Sequence, residues 1–177
     1  MKSKVEEALA TSQKLASMRS QIRLDMTPDG LRIQILDAQN RPMFDSGSAI
    51  VKPYMRELLR EIGHMLNDVP NRITLEGHTD AHPFSGGERG YSNWELSSDR
   101  ANASRRELLG GGLPDDRVLR VQGLASSVPF ERADPLAPTN RRISIIVMNR
   151  DAEDRFFRTS AEAVPDGNAS TLGPAGR

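Results

Sequence analysis

The sequence predicts an α/β sandwich of the α+β kind, with helices packed on a small mixed sheet. Two observations carry this. Segments alternating with period two and segments with helical spacing follow one another as strand, helix, strand, helix, strand, strand. The two strand-to-helix passages have the length at which a helix folds back over its own sheet.

The first strand is Leu31-Arg32-Ile33-Gln34-Ile35, where apolar and polar residues alternate after a turn signal at Thr27-Pro28-Asp29-Gly30. The loop Arg41–Ala49 follows, with Phe44 as its aromatic anchor. Pro53 suits the first turn of a helix, and Met55, Leu58, Leu59, Ile62, Met65 and Leu66 form its apolar stripe up to Asn67, before Pro70. Ile73 and Leu75 mark a second strand that breaks at Gly77. A polar, Gly-rich loop leads from it into a helix entered through Ser92-Asn93, and Gly110-Gly111-Gly112 stops that helix. Val118 to Val121 reads as a short strand, residues 124–140 as a loop with Pro129, Pro135 and Pro138. Arg142–Met148 is β-branched and mostly apolar, as a well-buried strand should be.

This organisation divides the chain into a lead-in (1–25), a folded domain (26–150) and a polar tail (151–177). The lead-in has a thin helical stripe at Val5, Leu9, Leu15, Met18 and Ile22. It reads either as a solvated helix or as a juxtamembrane or dimer-linking one. The tail is rich in Gly, Pro and small residues, so it is expected to be disordered after a brief helical continuation through Phe156 and Phe157.

Composition narrows the function. The 177 residues hold 24 basic and 24 acidic side chains. No overall field therefore draws the chain to nucleic acid or an anionic membrane. Cysteine is absent, which removes disulfides, thiol catalysis and Cys-type metal sites. Mean hydropathy is −0.53, and no run approaches the roughly 20 apolar residues that span a bilayer. Met1-Lys2-Ser3-Lys4 is followed by Val5-Glu6-Glu7 rather than an apolar signal segment, which alone predicts a cytoplasmic protein.

The chemistry gathers between Ile73 and Leu109. Glu76, His78, Asp80 and His82 alternate along a strand running into a loop. Zinc is conceivable, but i and i+4 side chains on a strand lie roughly 13 Å apart, and Gly77 and Pro83 rule out the helical face that an HExxH site uses. His78 is better read as a packed histidine that hydrogen-bonds the loop. Ser92, Ser97, Ser98 and Ser104 lack a GxSxG-like elbow, and Glu76 and Asp80 have no clear facing acid. No cofactor or metal is implied. Binding makes better use of Asp80 at the strand end and Arg100 two turns into the helix. A carboxylate accepts hydrogen bonds from an ammonium, and a guanidinium fork grips a carboxylate, so the pair suits an amino-acid head group. A salt bridge between Asp80 and Arg100, or from Arg100 to Asp99 or Glu107, is the alternative.

Three motifs in order, Gly77-His78-Thr79-Asp80, then Asn93-x-x-Leu96-Ser97-x-x-Arg100-Ala101, then Asn140-Arg141-Arg142, resemble the OmpA-like peptidoglycan-binding domain family over residues 31–149. Within it, GYSNWELSSDRANASRRELL, NRRISIIV and LRIQILDAQNRPMF are similar to the flagellar motor stator branch. The resemblance implies a βαβαβ-type domain that binds the stem peptide of peptidoglycan at its diaminopimelate residue, without catalysis. Asp80 would take the ammonium and Arg100 the carboxylate; Thr79 and Asn93 would line the pocket. Phe44 and Asp45 would contribute mainly backbone. Arg141 would face the site or the glycan strand, while Arg142 could be structural. It further implies a homodimer in the periplasm and a MotA-type stator subunit as partner, reached through a transmembrane segment that this chain lacks. The turn after His78-Thr79-Asp80 departs from the short Asn-Thr-Gly type common in the family: it reads Ala81-His82-Pro83-Phe84 and continues into a longer Gly-rich loop.

Overall fold

A computed structural model describes residues 2–38, 40–84 and 89–162. Two strands open the sheet, β1 (Ile22–Thr27) and β2 (Gly30–Leu36), followed by helix α3 (Pro53–Asn67), β3 (Ile73–His78), α4 (Asn93–Gly110), β4 (Val118–Gly123), β5 (Arg142–Met148) and α5 (Arg150–Glu162). Before them stand α1 (Lys2–Thr11) and the short α2 (Gln13–Ala16). The sheet order is β1-β2-β5-β3-β4. β3 and β4 are parallel and joined through α4, whereas β5 is antiparallel to both β2 and β3 and lies between them. The mixed sheet with helices packed on it is the architecture expected.

Its core follows from strand parity. Ile143, Ile145 and Val147 of β5 point to one face with Leu31, Ile33 and Ile35 of β2 and Ile73 and Leu75 of β3. The stripe of α3, with Met55, Leu58, Leu59, Ile62 and Leu66 all buried, covers that face. β5 is buried along all of its 7 residues, because it has a partner on each side. The other face holds a small apolar cluster of Ile146, Met148 and Ala152 packed by Phe156 of α5. Beyond it runs a polar row in which Gln34, Ser144, Glu76 and Gln122 stand side by side on β2, β5, β3 and β4. They hydrogen-bond to one another and to Arg142: Arg142 Nε donates to Gln34 Oε1 at 2.9 Å and Gln122 Nε2 to Glu76 Oε1 at 2.8 Å. Arg142 is thus a structural residue. Burial, reinforced by repulsion from Arg32, lowers its pKa to about 10.

Two glycines let the helices come close. A Cβ on Gly77 would run into the carbonyl oxygen of Ser97, so α4 can lie against β3 only because position 77 has no side chain. Gly63 does the same for α3 against the Leu108 carbonyl of α4.

The lead-in differs from expectation. Ile22-Arg23-Leu24-Asp25-Met26-Thr27 is not the end of a helical stripe but an edge strand, paired antiparallel to β2 from Ile22↔Ile35 to Thr27↔Gly30. The folded sheet therefore starts four residues before the expected boundary at residue 26. The signal was present: Ile22, Leu24 and Met26 alternate with polar residues, and Thr27-Pro28-Asp29-Gly30 makes a hairpin of the two strands. Val5, Leu9, Leu15 and Met18 are buried in the main core instead of lining a solvated helix. Gln21 fixes the junction, its Nε2 donating to the carbonyls of Leu36 at 3.1 Å and Arg41 at 3.0 Å. The continuation through Phe156 and Phe157 extends as α5 to Glu162; the rest of the expected tail, residues 163–177, lies outside the described residues.

His78 ends β3 on the polar side of the sheet and is 4% exposed. It is packed, as expected, but the loop hydrogen bond is absent: neither ring nitrogen has a partner among the described residues, and Nε2 is 3.5 Å from Glu76 Oε2. Burial holds its pKa below the ordinary 6.5, against the pull of Glu76.

Three outcomes follow from this packing. Gly77→Ala lowers stability by at least about 1–3 kcal/mol in chemical denaturation, as over-packing does. Leu15→Ala lowers it by about 2–5 kcal/mol if the lead-in belongs to the folded unit; a change within error would mean that it does not. As pH falls below about 6.5 the unfolded chain takes up a proton that native His78 refuses, so stability is complete above that pH and declines below it, by at most about 1.4 kcal/mol per pH unit. Denaturation at pH 7.5, 6.5 and 5.5 should show this slope in the wild type and a flatter one in His78→Leu.

Candidate functional site

Three connections leave the sheet at one edge, where Leu36, His78 and Arg142 stand in register. They are residues 37–52 after β2, 79–92 after β3 and 124–141 before β5. Described residues of these connections, with the N-terminal half of α4, line a cavity of about 830 Å³, well within the range of small-ligand sites. Its walls include Asp37, Phe44, Asp45, Thr79, Asp80, His82, Asn93, Arg100 and Arg141, with apolar surface from Pro42, Phe84 and Leu96. Every residue singled out from sequence as a binding residue, namely Phe44, Asp45, Thr79, Asp80, Asn93, Arg100 and Arg141, lines this one cavity.

Local structure fixes each of them. The capping box of Ser92 and Glu95 starts α4, with the Ser92 N–H donating to Glu95 Oε2 at 2.7 Å. This puts Asn93 in the first turn, where its Nδ2 donates to the His82 carbonyl at 2.8 Å and ties helix to loop. Thr79 donates its backbone N–H to Ala125 at 2.9 Å, and Ala81 its own to Pro135 at 2.9 Å. The loop after β3 is thereby laced to the loop before β5. Asn140, buried, holds that second loop by accepting from the Glu131 N–H at 2.7 Å and donating to the Glu131 and Asp134 carbonyls.

Arg100 does not form a salt bridge with Asp80. Its Nε donates to the Ser48 carbonyl at 2.8 Å, its Nη2 to the Asp45 carbonyl at 3.1 Å, and its guanidinium lies 4.8 Å from the Phe44 ring centre. Two backbone carbonyls and an aromatic face orient the cation without neutralising it. Nη1 has no hydrogen-bond partner among the described residues. Burial is the main influence on Arg100 and draws its pKa below the ordinary guanidinium value. The other acids considered for it are engaged elsewhere: Asp99 accepts from the Tyr91 hydroxyl at 2.7 Å, and Glu107 pairs with Arg60 at 2.8 Å. Phe44 offers its ring as well as backbone, whereas Asp45 offers the cavity its carbonyl and sends its carboxylate to Lys52 at 2.7 Å.

Asp80, 7% exposed, is held by Arg141, whose Nη1 donates to Oδ2 at 2.7 Å, and by the His82 N–H at 3.0 Å on Oδ1. Arg141 faces the site and also reaches a residue the sequence reading missed: its Nε donates to Asp37 Oδ2 at 2.8 Å. The other oxygen of Asp37 accepts the Met43 N–H at 2.8 Å. Burial raises the pKa of Asp37 above 3.8, opposed by Arg141 and the Met43 N–H. Burial lowers that of Arg141, but the bonds to Asp37 and Asp80 outweigh it and the net shift is upward. Asp37 directly follows the alternating strand, a position that could have marked it as a strand-end acid like Asp80.

The serines considered as nucleophiles serve the helix. Ser97 and Ser98 donate to the Trp94 carbonyl at 3.1 and 2.8 Å, Ser104 to the Arg100 carbonyl at 2.9 Å, and Ser92 caps α4. His78, Asp80 and His82 do not converge: His82 lies on the cavity rim beside Asp80, and His78 is buried in the sheet. No group of three His, Asp or Glu side chains suited to a metal occurs among the described residues. Residues 85–88 of the Gly-rich loop lie outside those residues.

A model of the OmpA family matches residues 43–142. The chain is 51% identical over 159 residues to Motility protein B of Escherichia coli K12, which covers 90% of this chain and 52% of that protein. It thus spans about half the length of this relative. Among solved structures, the cell wall anchor of the T6SS from Pseudomonas aeruginosa is similar with a TM-score of 0.66 at 24% identity, covering 81% of this chain and 96% of that one. The periplasmic domain of Helicobacter pylori MotB (residues 78–256) is similar with a TM-score of 0.64 at 19% identity, covering 81% and 93%. At such identities the two structures speak for the fold; the family match and the 51% identity speak for descent. The chain belongs to the OmpA family.

Proposed function

We propose that this domain binds peptidoglycan non-covalently, through the diaminopimelate residue of the stem peptide, and so anchors a flagellar motor stator to the cell wall. The observation that carries the reading is charge separation: Asp80 and Arg100 line one cavity without neutralising each other. An amino-acid head group brings the two charges that such a cavity can receive. Arg100 takes the carboxylate through its open Nη1 side, and Asp80 takes the ammonium. Thr79 and Asn93 line the space between loop and helix, Phe44 and the Asp45 carbonyl hold Arg100 in aim, and Arg141 borders the Asp80 side. The cavity is larger than one head group needs, which leaves room for neighbouring residues of a peptide. Similarity to Motility protein B supports a part in motility, and membership of the OmpA family supports wall binding.

The role is mechanical and not catalytic. Among the described residues no helix is long and apolar enough to cross a membrane. The domain works in the periplasm, as part of a homodimer joined by a single membrane-spanning segment to a MotA-type subunit. One site with a Kd near 1 mM corresponds to only about 4 kcal/mol, and several sites around one motor multiply it by avidity.

Sedimentation with insoluble peptidoglycan sacculi tests this. The wild type should pellet with the sacculi and release no soluble sugar or peptide. Asp80→Asn and Arg100→Gln, with unchanged circular dichroism, should each bind at least about tenfold more weakly, the loss of a charge-assisted contact. A wild type that stays in solution overturns the wall-binding reading. Release of soluble fragments would instead make the domain a hydrolase.

A further inference from the structure

Charge pairing in the cavity is incomplete in a way that assigns a role to Asp37. Asp45 turns its carboxylate to Lys52, and four charged groups are left to face one another there, Asp37, Asp80, Arg100 and Arg141, with the exposed His82 ring on the rim, its Nδ1 3.1 Å from Asp80 Oδ1. Arg141 bridges both acids, with Nε on Asp37 at 2.8 Å and Nη1 on Asp80 at 2.7 Å. Its guanidinium therefore occupies the place on Asp80 that an incoming ammonium needs, and a second cation beside it would be repelled. If Arg141 yields Asp80 and keeps Asp37, every charge finds one partner: Arg141 with Asp37, the ammonium with Asp80, and the carboxylate with Arg100.

We propose that Arg141 is a built-in occupant of the ammonium subsite and that Asp37 is the positioning residue that holds it when a ligand displaces it from Asp80. Binding is then an exchange of cations on Asp80. The inference rests on the zwitterion reading of the site. It draws on the placement of Asp37, whose buried carboxylate is fixed by the Met43 N–H at 2.8 Å and cannot follow Arg141 into the cavity. It also draws on the fork of arginine, which can release one nitrogen and keep the other bonded. The exchange selects for ligands that carry a cation. A ligand with a carboxylate alone leaves Arg141 where it is and gains only Arg100.

Asp37→Asn tests the exchange. Asparagine retains an oxygen for the Met43 N–H but turns an amide NH2 toward Arg141, which then rests on Asp80 alone. Binding to sacculi, and to free meso-diaminopimelate in calorimetry, should weaken roughly tenfold, the scale of one charge-assisted pair. Adding Arg141→Gln to Asp37→Asn removes the competing cation, so the double variant should recover most of that loss. A purely structural role for Asp37 predicts the reverse, a double variant as weak as the single one or weaker. Matching thermal melts exclude unfolding as the cause; if Asp37→Asn alone melts early, the double variant compared with Arg141→Gln gives the same information. The proposal is overturned if Asp37→Asn binds like the wild type, or if the double variant shows no recovery. Failure of the wild type to bind sacculi or diaminopimelate would instead remove the zwitterion reading beneath it.

Discussion

The pairing of β5 between β2 and β3 is the constraint on which the rest of the molecule depends, because it sets both the core and the position of the cavity. Its antiparallel run against two strands that are parallel to each other leaves Leu36, His78 and Arg142 at one edge of the sheet. Three connections must leave or enter there, and their residues necessarily meet. Sheets of this kind hold ligands where strand ends open beside a helix start. Here α4 supplies that start and carries Asn93 and Arg100.

Helix α4 is placed in turn by an absence of side chain. Gly77 lets its backbone approach β3, and Gly63 lets α3 approach α4. Close packing carries Arg100 to the Ser48 and Asp45 carbonyls and to the Phe44 ring, across more than fifty residues of chain. An arginine held by carbonyls and an aromatic face keeps its charge available. Pairing with an acid would have cancelled it, and the acids within sequence reach, Asp99 and Glu107, are occupied by Tyr91 and Arg60.

The polar side of the sheet shows the contrasting case. Two hydrogen-bonded groups side by side span four strands: Arg142 and Ser144 on Gln34, and Gln122 on Glu76. Buried polar groups arranged like this fix strand register, since a slip by one residue would carry each of them into the apolar core. Among the described residues His78, at the end of that row, has no hydrogen-bond partner for its ring nitrogens, and burial holds its pKa below the ordinary value.

The elements that rest on periodicity were legible along the chain: the α3 stripe, the alternating β2, the β-branched β5, and the helix entered at Ser92-Asn93. These follow from local chemistry, namely side-chain spacing, Pro53 at a helix start and a glycine run at a helix end. The sequence also marked Asp80 and Arg100, because a strand-end acid and a helix-borne base are recognisable in order along the chain. The lead-in was read with the wrong period, since five apolar residues over its length fit a helix as well as a helix followed by a strand, and only pairing with β2 separates the two. Tertiary structure alone decided who meets whom at the site. Asp37 and Arg141 are 104 residues apart and touch because β5 returns beside β2. That Asp80 pairs with Arg141 while Arg100 keeps its charge open depends on distances between loops, which no local pattern encodes.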